Sequence, residues 1–255
     1  MASSPHRPST LIFDVDDTLY DVGNGFTAHR NGDAVAEFMV THLMFPTRAS
    51  ALELRNEYFA RYHSTVKALT AAEADGRLPE GAHFEAEQLA HWWATKLAFD
   101  RYITPDTDFV SDLAELQLQL VAFSNSPRQY CIRTLEALGL RQLFTDDRVF
   151  AVDDVMPSCK PEAAAFEKVL NAVGVLPESC VMIEDSMKNI RAAKALGMKT
   201  VLVSGLGSGD SSAGEATKAG DIPEIDDPSV DVCIPGCGQL RKALPGLWQN
   251  PPVFG

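Results

Sequence analysis

Short apolar runs limit the possible folds of this chain more than any other pattern in it. The clearest runs occupy residues 10–15, 119–124, 149–152, 180–184 and 199–204, with a further candidate at 230–234. Runs of this length without polar alternation are typical of strands that are buried on both faces. Strands of that kind belong to parallel sheets covered by helices, so the sequence predicts a buried parallel sheet.

Helical patterns separate these strands. They occupy residues 127–138, 161–173 and 186–196. Each ends in an apolar-Gly-apolar triplet, and Gly139, Gly174 and Gly197 are suited to the left-handed conformation that stops a helix. Pro161 suits a first helical position. Because strand and helix alternate with right-handed crossovers, we predict an α/β fold with a three-layer αβα, Rossmann-like core.

Residues 21–104 follow a helical period instead. Their three apolar faces comprise Val35, Phe38, Met39, His42 and Leu43, then Leu54, Tyr58, Phe59 and Tyr62, then Phe84, Leu89, Trp92, Trp93 and Leu97. We therefore predict a helical insert at 21–104 and a core built from 1–20 and 105–255. Residues 205–229 are predicted to form a long surface loop. The tail from residue 248 to 255 is predicted to lack regular structure.

The charge and composition of the chain argue against some classes of binding partner. The net charge is -13, from 35 acidic and 22 basic residues, and no block of Lys and Arg stands out, which argues against a nucleic-acid polymer as partner. No apolar run approaches the ~20 residues that span a bilayer, and the first residues have no apolar signal-peptide core. Five scattered cysteines fit a reduced compartment. These features predict a cytoplasmic monomer or homodimer that binds no membrane.

Polar residues stand where three of the predicted strands end. Asp14 follows the first apolar run, Ser124 the second, and Glu184 and Asp185 the fourth. In doubly wound sheets, ligands bind beyond the carboxyl ends of the strands. Three runs therefore indicate one site.

The first of these strand ends carries a pair of carboxylates. Asp14 and Asp16 are two residues apart, so on an extended backbone their side chains emerge on the same side. This arrangement suits a nucleophile with a neighbouring acid/base group. Two close carboxylates repel, so we expect a divalent cation nearby. The alternative is that Asp and Thr at a strand end only form turns and cap backbone groups.

The other strand ends add a cation and a second acidic pair. Lys160 opens a predicted helix, where a positive charge opposes the helix dipole, so a phosphate-binding role or a solvated surface lysine are the two interpretations. Burial of Glu184 and Asp185 is expensive unless they are paired or bind metal. Hard carboxylate oxygens without clustered His or Cys favour Mg²⁺. Asp185 could instead be a helix N-cap.

Together these motifs resemble those of the haloacid dehalogenase-like hydrolase superfamily. The matching residues are Asp14-x-Asp16-x-Thr18, Ser124-Asn125, Lys160-Pro161 and Glu184-Asp185-x-x-x-Asn189, in that order. The resemblance covers nearly the whole αβ part, and the helical insert resembles the superfamily's mobile cap. It implies a Mg²⁺-dependent phosphomonoester hydrolase that forms an aspartyl-phosphate and acts on a small phosphorylated metabolite.

The resemblance also implies residue roles. Asp14 would be the nucleophile, and Asp16 would protonate the leaving oxygen and then activate water. The remaining roles are substrate binding by Thr18, Ser124, Asn125 and Lys160, Mg²⁺ binding by Asp14, the Asp16 carbonyl and Asp185, and support from Glu184 and Asn189. Dehalogenases of this superfamily lack an acid at the Asp16 position because halide needs no proton, so this residue favours phosphate esters.

A closer resemblance is to the pyrimidine 5′-nucleotidase branch, and it implies nucleoside 5′-monophosphates with pyrimidines preferred. The matching segments are 13–20, 57–62 and 160–168. A sugar-phosphate phosphatase or phosphomutase is the alternative enzyme, and a non-catalytic binding or regulatory protein is the alternative of another class. The insert residues that could face substrate, or only pack, are Tyr58, Arg61, Tyr62, His63, Lys67, Trp92 and Trp93.

Overall fold

A six-stranded parallel sheet lies at the centre of the molecule, in a computed structural model that describes residues 6–205 and 222–255. The strands are β1 (Thr10–Phe13), β2 (Gln119–Phe123), β3 (Val149–Phe150), β4 (Cys180–Glu184), β5 (Lys199–Val203) and β6 (Val232–Ile234). Their order in the sheet is β3-β2-β1-β4-β5-β6. The chain therefore builds outward in both directions from β1, and the boundary between β1 and β4 is the switch point where doubly wound folds bind ligands.

Helices cover both faces of this sheet. Those of the core are α7 (Thr107–Ala114), α8 (Arg128–Ala137), α9 (Val152–Val155), α10 (Ala163–Val173), α11 (Met187–Ala195) and α12 (Leu240–Ala243). Leu11 and Phe13 of β1 share one buried cluster with Leu135 of α8, whereas Ile12 shares another with Phe166 of α10. Alternate residues of β1 thus bury opposite faces. The predicted three-layer αβα core is confirmed.

Most predicted element ends lie within a few residues of the observed ends. Gly139, Gly174 and Gly197 have φ angles of 69°, 76° and 98°, so each takes the left-handed conformation that was expected after a helix. Two details were wrong. Pro161 precedes α10, which begins at Ala163, and the predicted strand over 149–152 is only two residues long because α9 begins immediately after it.

The helical insert lies between β1 and β2. Its helices are α1 (Phe26–His29), α2 (Val35–His42), α3 (Arg48–Tyr62), α4 (Thr65–Ala74), α5 (Ala86–Lys96) and α6 (Phe99–Tyr102). A π-helical segment, Arg30–Ala34, joins α1 to α2, and π-helical turns are frequent at functional sites. Trp93 of α5 packs edge-on against Tyr130 of α8, with ring centroids 5.6 Å apart. The insert and the sheet therefore share a continuous apolar core, and the domain limits stay a prediction.

The last residues contact the core although they form almost no regular structure. A 3₁₀ turn spans Pro245–Trp248, and the indole of Trp248 donates a hydrogen bond of 2.8 Å to the carbonyl of Asp112. Phe254 then forms an antiparallel bridge with His6. The chain end is thus tied to the core, although beyond Trp248 it forms no helix or strand and only the single bridge at Phe254, in keeping with the prediction. Most of the predicted 205–229 loop, residues 206–221, lies outside the described residues.

No helix in the described parts of the chain combines the length and the apolar character that a membrane crossing requires.

Candidate active site

The predicted strand-end residues line one cavity of about 580 Å³. Asp14 follows β1, Ser124 follows β2, and Asp185 follows β4, and these three strands are neighbours in the sheet. Parallel strands present their carboxyl ends at the same edge, so the topology brings the three side chains together. The helical insert closes the other side of the cavity with residues of α3 and α5.

Asp14 and Lys160 form the buried centre of the site. The ammonium Nζ of Lys160 lies 2.6 Å from Oδ1 of Asp14 and 2.8 Å from Oε2 of Glu184. It also donates to the carbonyl of Phe123 at 2.8 Å. Thr18 donates to the other Asp14 oxygen at 3.3 Å. Lys160 is 1% exposed, which rules out the interpretation of a solvated surface lysine.

Burial perturbs this centre strongly. Burial, with the nearby charge of Glu184, raises the pKa of Asp14 to about 7, although the positive charge of Lys160 opposes the change. Burial also raises the pKa of Glu184 to about 7, against the same opposing charge. One ammonium group therefore does not fully compensate the two carboxylates. Perturbed carboxyl groups in a cleft are a mark of functional sites.

A third carboxylate completes an acidic cluster. One oxygen from each of Asp14, Glu184 and Asp185 can be chosen so that all lie within 4.8 Å of one another. Hard oxygen donors at this spacing suit a divalent cation such as Mg²⁺ better than a soft metal. Ser186 is the N-cap of α11, so the alternative interpretation of Asp185 as a helix N-cap was wrong.

Asp16 lies in a different environment, surrounded by donors. Its Oδ1 is 2.7 Å from Nη1 of Arg30 and accepts hydrogen bonds from the hydroxyls of Tyr130, at 2.6 Å, and Tyr20, at 2.8 Å. Its Oδ2 accepts one from Ser126 at 2.6 Å. Burial alone would raise the pKa of Asp16, but the charge of Arg30 and the bonds from these donors hold it below its usual value.

Most of this shell is not predicted by the sequence motifs. Tyr20 and Ser126 stand next to recognised motifs, so their positions were a usable signal. Arg30 and Tyr130 are single polar positions within helical stretches, and nothing in their spacing sets them apart. Asp17, the residue after Asp16, has a φ of 59°, so the chain turns sharply at this point.

Asn125 holds the backbone of Lys160 in place. Its Oδ1 accepts from the Lys160 amide at 2.9 Å, and its Nδ2 donates to the Lys160 carbonyl at 2.8 Å. Nδ2 also reaches the carbonyl of His63 in the insert, at 3.3 Å. Its predicted contact with substrate stays a prediction. Asn189 and Ser124 also line the cavity, and Ser124 donates to Asp16 at 3.4 Å.

The insert residues that were considered for substrate binding separate into two groups. His63 and Trp93 line the cavity. Tyr58 is buried and its hydroxyl donates to Asp75 at 2.8 Å, while Lys67 forms an ion pair with Glu162 of the core. For Tyr58 and Lys67 the structure therefore shows packing and docking contacts.

Residues 8–197 match the model of a hydrolase family described as haloacid dehalogenase-like hydrolase. The match covers most of the chain, so this protein belongs to the haloacid dehalogenase-like hydrolase family. The predicted superfamily is confirmed, and the enzyme class is that of a hydrolase. The proposed nucleotidase branch is a finer assignment that the family match does not reach.

Curated relatives and solved structures agree with this assignment. A phosphoglycolate phosphatase of Chromobacterium violaceum is 28% identical over 204 residues, which cover 79% of this chain and 87% of that protein. Another from Rhodospirillum rubrum is 26% identical over 202 residues, covering 77% and 80%. The L-2-haloacid dehalogenase of Xanthobacter autotrophicus superposes with a TM-score of 0.57 at 22% identity, covering 94% of this chain and 99% of that chain. At that identity the structural likeness shows the fold alone.

Proposed function

We propose that this protein is a Mg²⁺-dependent phosphomonoester hydrolase that acts through an aspartyl-phosphate on Asp14. The observation that carries the proposal is the buried Asp14 carboxylate, 2.6 Å from Lys160 and clustered with Glu184 and Asp185. A nucleophile, a cation and a metal-binding carboxylate set are the groups that phosphoryl transfer needs, because its barrier is lowered by positioning and charge neutralisation. The phosphatase names of the relatives support the same chemistry.

The first half-reaction transfers the phosphoryl group to Asp14. A carboxylate oxygen of Asp14 attacks phosphorus while the bond to the leaving oxygen breaks. Lys160 offsets negative charge on the phosphoryl oxygens, and the hydroxyl of Ser124 positions them. Asp16 gives its proton to the leaving oxygen, which departs as an alcohol.

The second half-reaction regenerates the enzyme. Asp16, now ionised, accepts a proton from a water molecule as that water attacks the aspartyl-phosphate. Inorganic phosphate leaves and the Asp14 carboxylate returns. One water is consumed for each phosphomonoester cleaved, so the proton balance on Asp16 closes over the cycle.

The acidic cluster fits Mg²⁺ by its donor chemistry. Asp14, Asp185 and the main-chain carbonyl of Asp16 would hold the ion, with Glu184 and Asn189 in supporting positions. When bound, Mg²⁺ supplies Lewis-acid neutralisation of the phosphoryl charge. The same charge would favour the ionised form of Asp14, whose pKa burial otherwise raises to about 7.

The contact between Arg30 and Asp16 bears on the acid step. Because Arg30 keeps the pKa of Asp16 low, Asp16 carries a proton for the leaving oxygen only when this ion pair weakens. Arg30 lies in the π-helical segment at the start of the insert. We infer that residues 21–104 act as a cap whose movement alters this contact and excludes water during the reaction.

Two substrate classes are compatible with this chemistry. The motif resemblance supports nucleoside 5′-monophosphates, with pyrimidine nucleotides preferred. However, the hydroxyl of Tyr58, in the matching insert segment, donates its hydrogen bond to Asp75. The curated relatives are named phosphoglycolate phosphatases, which supports phosphate esters of small organic acids as substrates. The alternative of a sugar-phosphate phosphatase is closer to this class than a nucleotidase is. A cytoplasmic location and a monomeric or homodimeric state stay predictions.

A phosphate-release assay tests the proposal. The panel contains 2-phosphoglycolate, UMP, CMP, AMP, GMP and several sugar phosphates, each with Mg²⁺ and with EDTA. We expect metal-dependent release from at least one of them, and the leading substrate identifies the class. Unchanged rates in EDTA would remove the metal from the proposal. No turnover of any substrate with Mg²⁺ would favour a non-catalytic binding protein.

A further inference from the structure

Arg55 of α3 is a buried cation in the wall of the active-site cavity. Its side chain is on the same cavity surface as Asp14 and Lys160, and the residue is only 4% exposed. Nothing in the proposed phosphoryl-transfer steps uses it. A buried guanidinium at the edge of a catalytic cavity requires a physical explanation, because burial of a charge is expensive.

The contacts of Arg55 are all with neutral groups. Its Nε and Nη2 donate to the hydroxyl of Thr65 at 3.3 and 3.0 Å. Its Nη1 donates to Oδ1 of Asn56 at 3.0 Å, and Nη2 to Oδ1 of Asn31 at 3.0 Å. These bonds satisfy hydrogen-bond donors of the guanidinium but leave its positive charge uncompensated.

The other buried cations of this cavity are compensated. Arg30 is 2.7 Å from Asp16, and Lys160 contacts both Asp14 and Glu184. Within residues 6–205 and 222–255, no carboxylate forms an ion pair with Arg55. Burial and the nearby charge of Arg30 lower the pKa of Arg55 to about 9, which still leaves it charged near neutral pH. This corner of the cavity is therefore positive.

The guanidinium is also held in a fixed orientation. Its carbon Cζ lies 3.8 Å from the ring centroid of Phe59, which lines the same cavity. Asn31 and Asn56 line the cavity as well, and because their oxygens accept from Arg55, their NH₂ groups are the ends that can donate. Arg55 has five N–H donors, and the four bonds above leave one N–H on Nη1 for a further acceptor.

We propose that Arg55, with the amides of Asn31 and Asn56, binds a second anionic group of the substrate, so that preferred substrates are small phosphomonoesters with a second acidic group. This inference rests on the proposed function, since the first acidic group is the phosphate that Asp14 attacks. The second group is a carboxylate or another phosphate, which share the planar or tripodal oxygen array that arginine recognises. A nucleoside monophosphate offers no such group.

Equilibrium binding to a variant without turnover tests the inference directly. In an Asp14→Asn background with Mg²⁺, titration calorimetry would compare 2-phosphoglycolate with 2-hydroxyethyl phosphate, which replaces the carboxylate by a neutral group. Loss of one charged hydrogen-bonded contact corresponds to an affinity change of about 10- to 100-fold. We expect a preference of that size for 2-phosphoglycolate, and ethylene glycol bisphosphate would show whether a phosphate serves as well as a carboxylate.

Adding Arg55→Met should reduce this preference to less than about twofold. Arg48→Met is the matched control, because Arg48 lies on the same helix with 56% of its side chain exposed and pairs with Glu37. It should retain the full preference. Thermal melting would report whether the Met variant is destabilised. In that case Arg55→Lys is the second test, because it keeps the charge and should retain part of the preference.

Two results would overturn the inference. One is that the Asp14→Asn protein binds 2-phosphoglycolate and 2-hydroxyethyl phosphate equally, or binds neither of them. The other is a full preference in a folded Arg55→Met variant. The phosphate-release panel on the unaltered protein is read separately, so failure of catalysis and failure of the Arg55 site are distinguishable.

Discussion

Asp14 and Asp16 are separated by one residue, yet their carboxylates lie in opposite electrostatic surroundings. Asp14 shares a single ammonium group with Glu184, and its pKa is raised to about 7. Asp16 forms an ion pair with Arg30 that no second carboxylate in the described residues shares, and it accepts three hydrogen bonds from hydroxyl groups within 2.8 Å. These contacts lower its pKa. Local partners, rather than residue type, set the difference.

This contrast teaches that one motif can supply two functions. Enzymes that use two carboxylates for different roles separate them by environment. On the Asp14 side one ammonium group faces two carboxylates, so this side suits a metal ion, which would favour the ionised form of Asp14. Asp16 is surrounded by donors, with Arg30 from the insert and hydroxyl groups from the core, so the proposed cap movement would change its protonation.

The largest expected effect is on the Asp14 side. Asp14→Asn removes the attacking oxygen while it keeps the shape of the side chain, so phosphate release should fall by about 10⁴-fold or more. The assay is phosphate release with Mg²⁺, and circular dichroism would check the fold. A folded variant within tenfold of the unaltered rate would exclude Asp14 as the nucleophile.

A smaller loss is expected on the Asp16 side. Asp16→Asn removes the proton donor and the base, which are worth about 10²- to 10⁴-fold in rate. With an aryl phosphate, whose leaving group needs no proton, the first step should persist and phosphorylated Asp14 should accumulate. Mass spectrometry of the intact protein would detect the added phosphoryl group. Normal turnover of alkyl phosphates by this variant would contradict the assigned role.

The ion pair of Asp16 can be broken from the other side. Arg30→Met leaves the largely buried Asp16 carboxylate, which is 16% exposed, without its cation, and we expect the free energy of unfolding to fall by about 3 kcal/mol. The control is Arg48→Met, which removes an exposed pair with Glu37 and should cost less than about 1 kcal/mol. Urea unfolding measures both. Equal losses would mean that the Asp16 environment is not energetically distinct.

The smallest effect is the response of stability to pH and Mg²⁺. Asp14 and Glu184 have pKa values raised from 3.8 and 4.5 to about 7, so the folded state binds their protons more tightly than the unfolded state does. This stabilisation is complete below the unfolded values and is lost as pH rises through about 7. In EDTA, the melting temperature should therefore decrease from pH 6 to pH 8.

Mg²⁺ should reverse that decrease. It competes with protons for the same carboxylates, so its stabilisation should be larger at pH 8 than at pH 6, by roughly 2–4 °C for each kcal/mol of difference. Differential scanning fluorimetry with Mg²⁺ and with EDTA would measure it. A Mg²⁺ shift that is independent of pH would show that these carboxylates do not hold the ion.

Much of the fold was accessible from local patterns. Continuous apolar runs predicted the strands, and the left-handed conformations of Gly139 and Gly174 followed from their triplets. The wrong details of the fold prediction concern the ends of single elements. Pro161 was assigned to a helix that begins at Ala163, since its preference for a first turn does not decide where that turn begins. The contacts that hold the tail to the core involve the distant partners Asp112 and His6, which no local pattern reveals.

The predicted strand ends were enough to bring Asp14, Ser124 and Asp185 into one predicted site, because parallel strands bring their carboxyl ends to one edge of a sheet. Lys160 was assigned to that site by the motif resemblance. Tertiary structure decided the charge state around them. Arg30 and Arg55 approach from the helical insert and Tyr130 from α8, and pKa values depend on distance and burial in three dimensions. A sequence specifies which groups are present, but only packing determines which of them share a low-dielectric cavity.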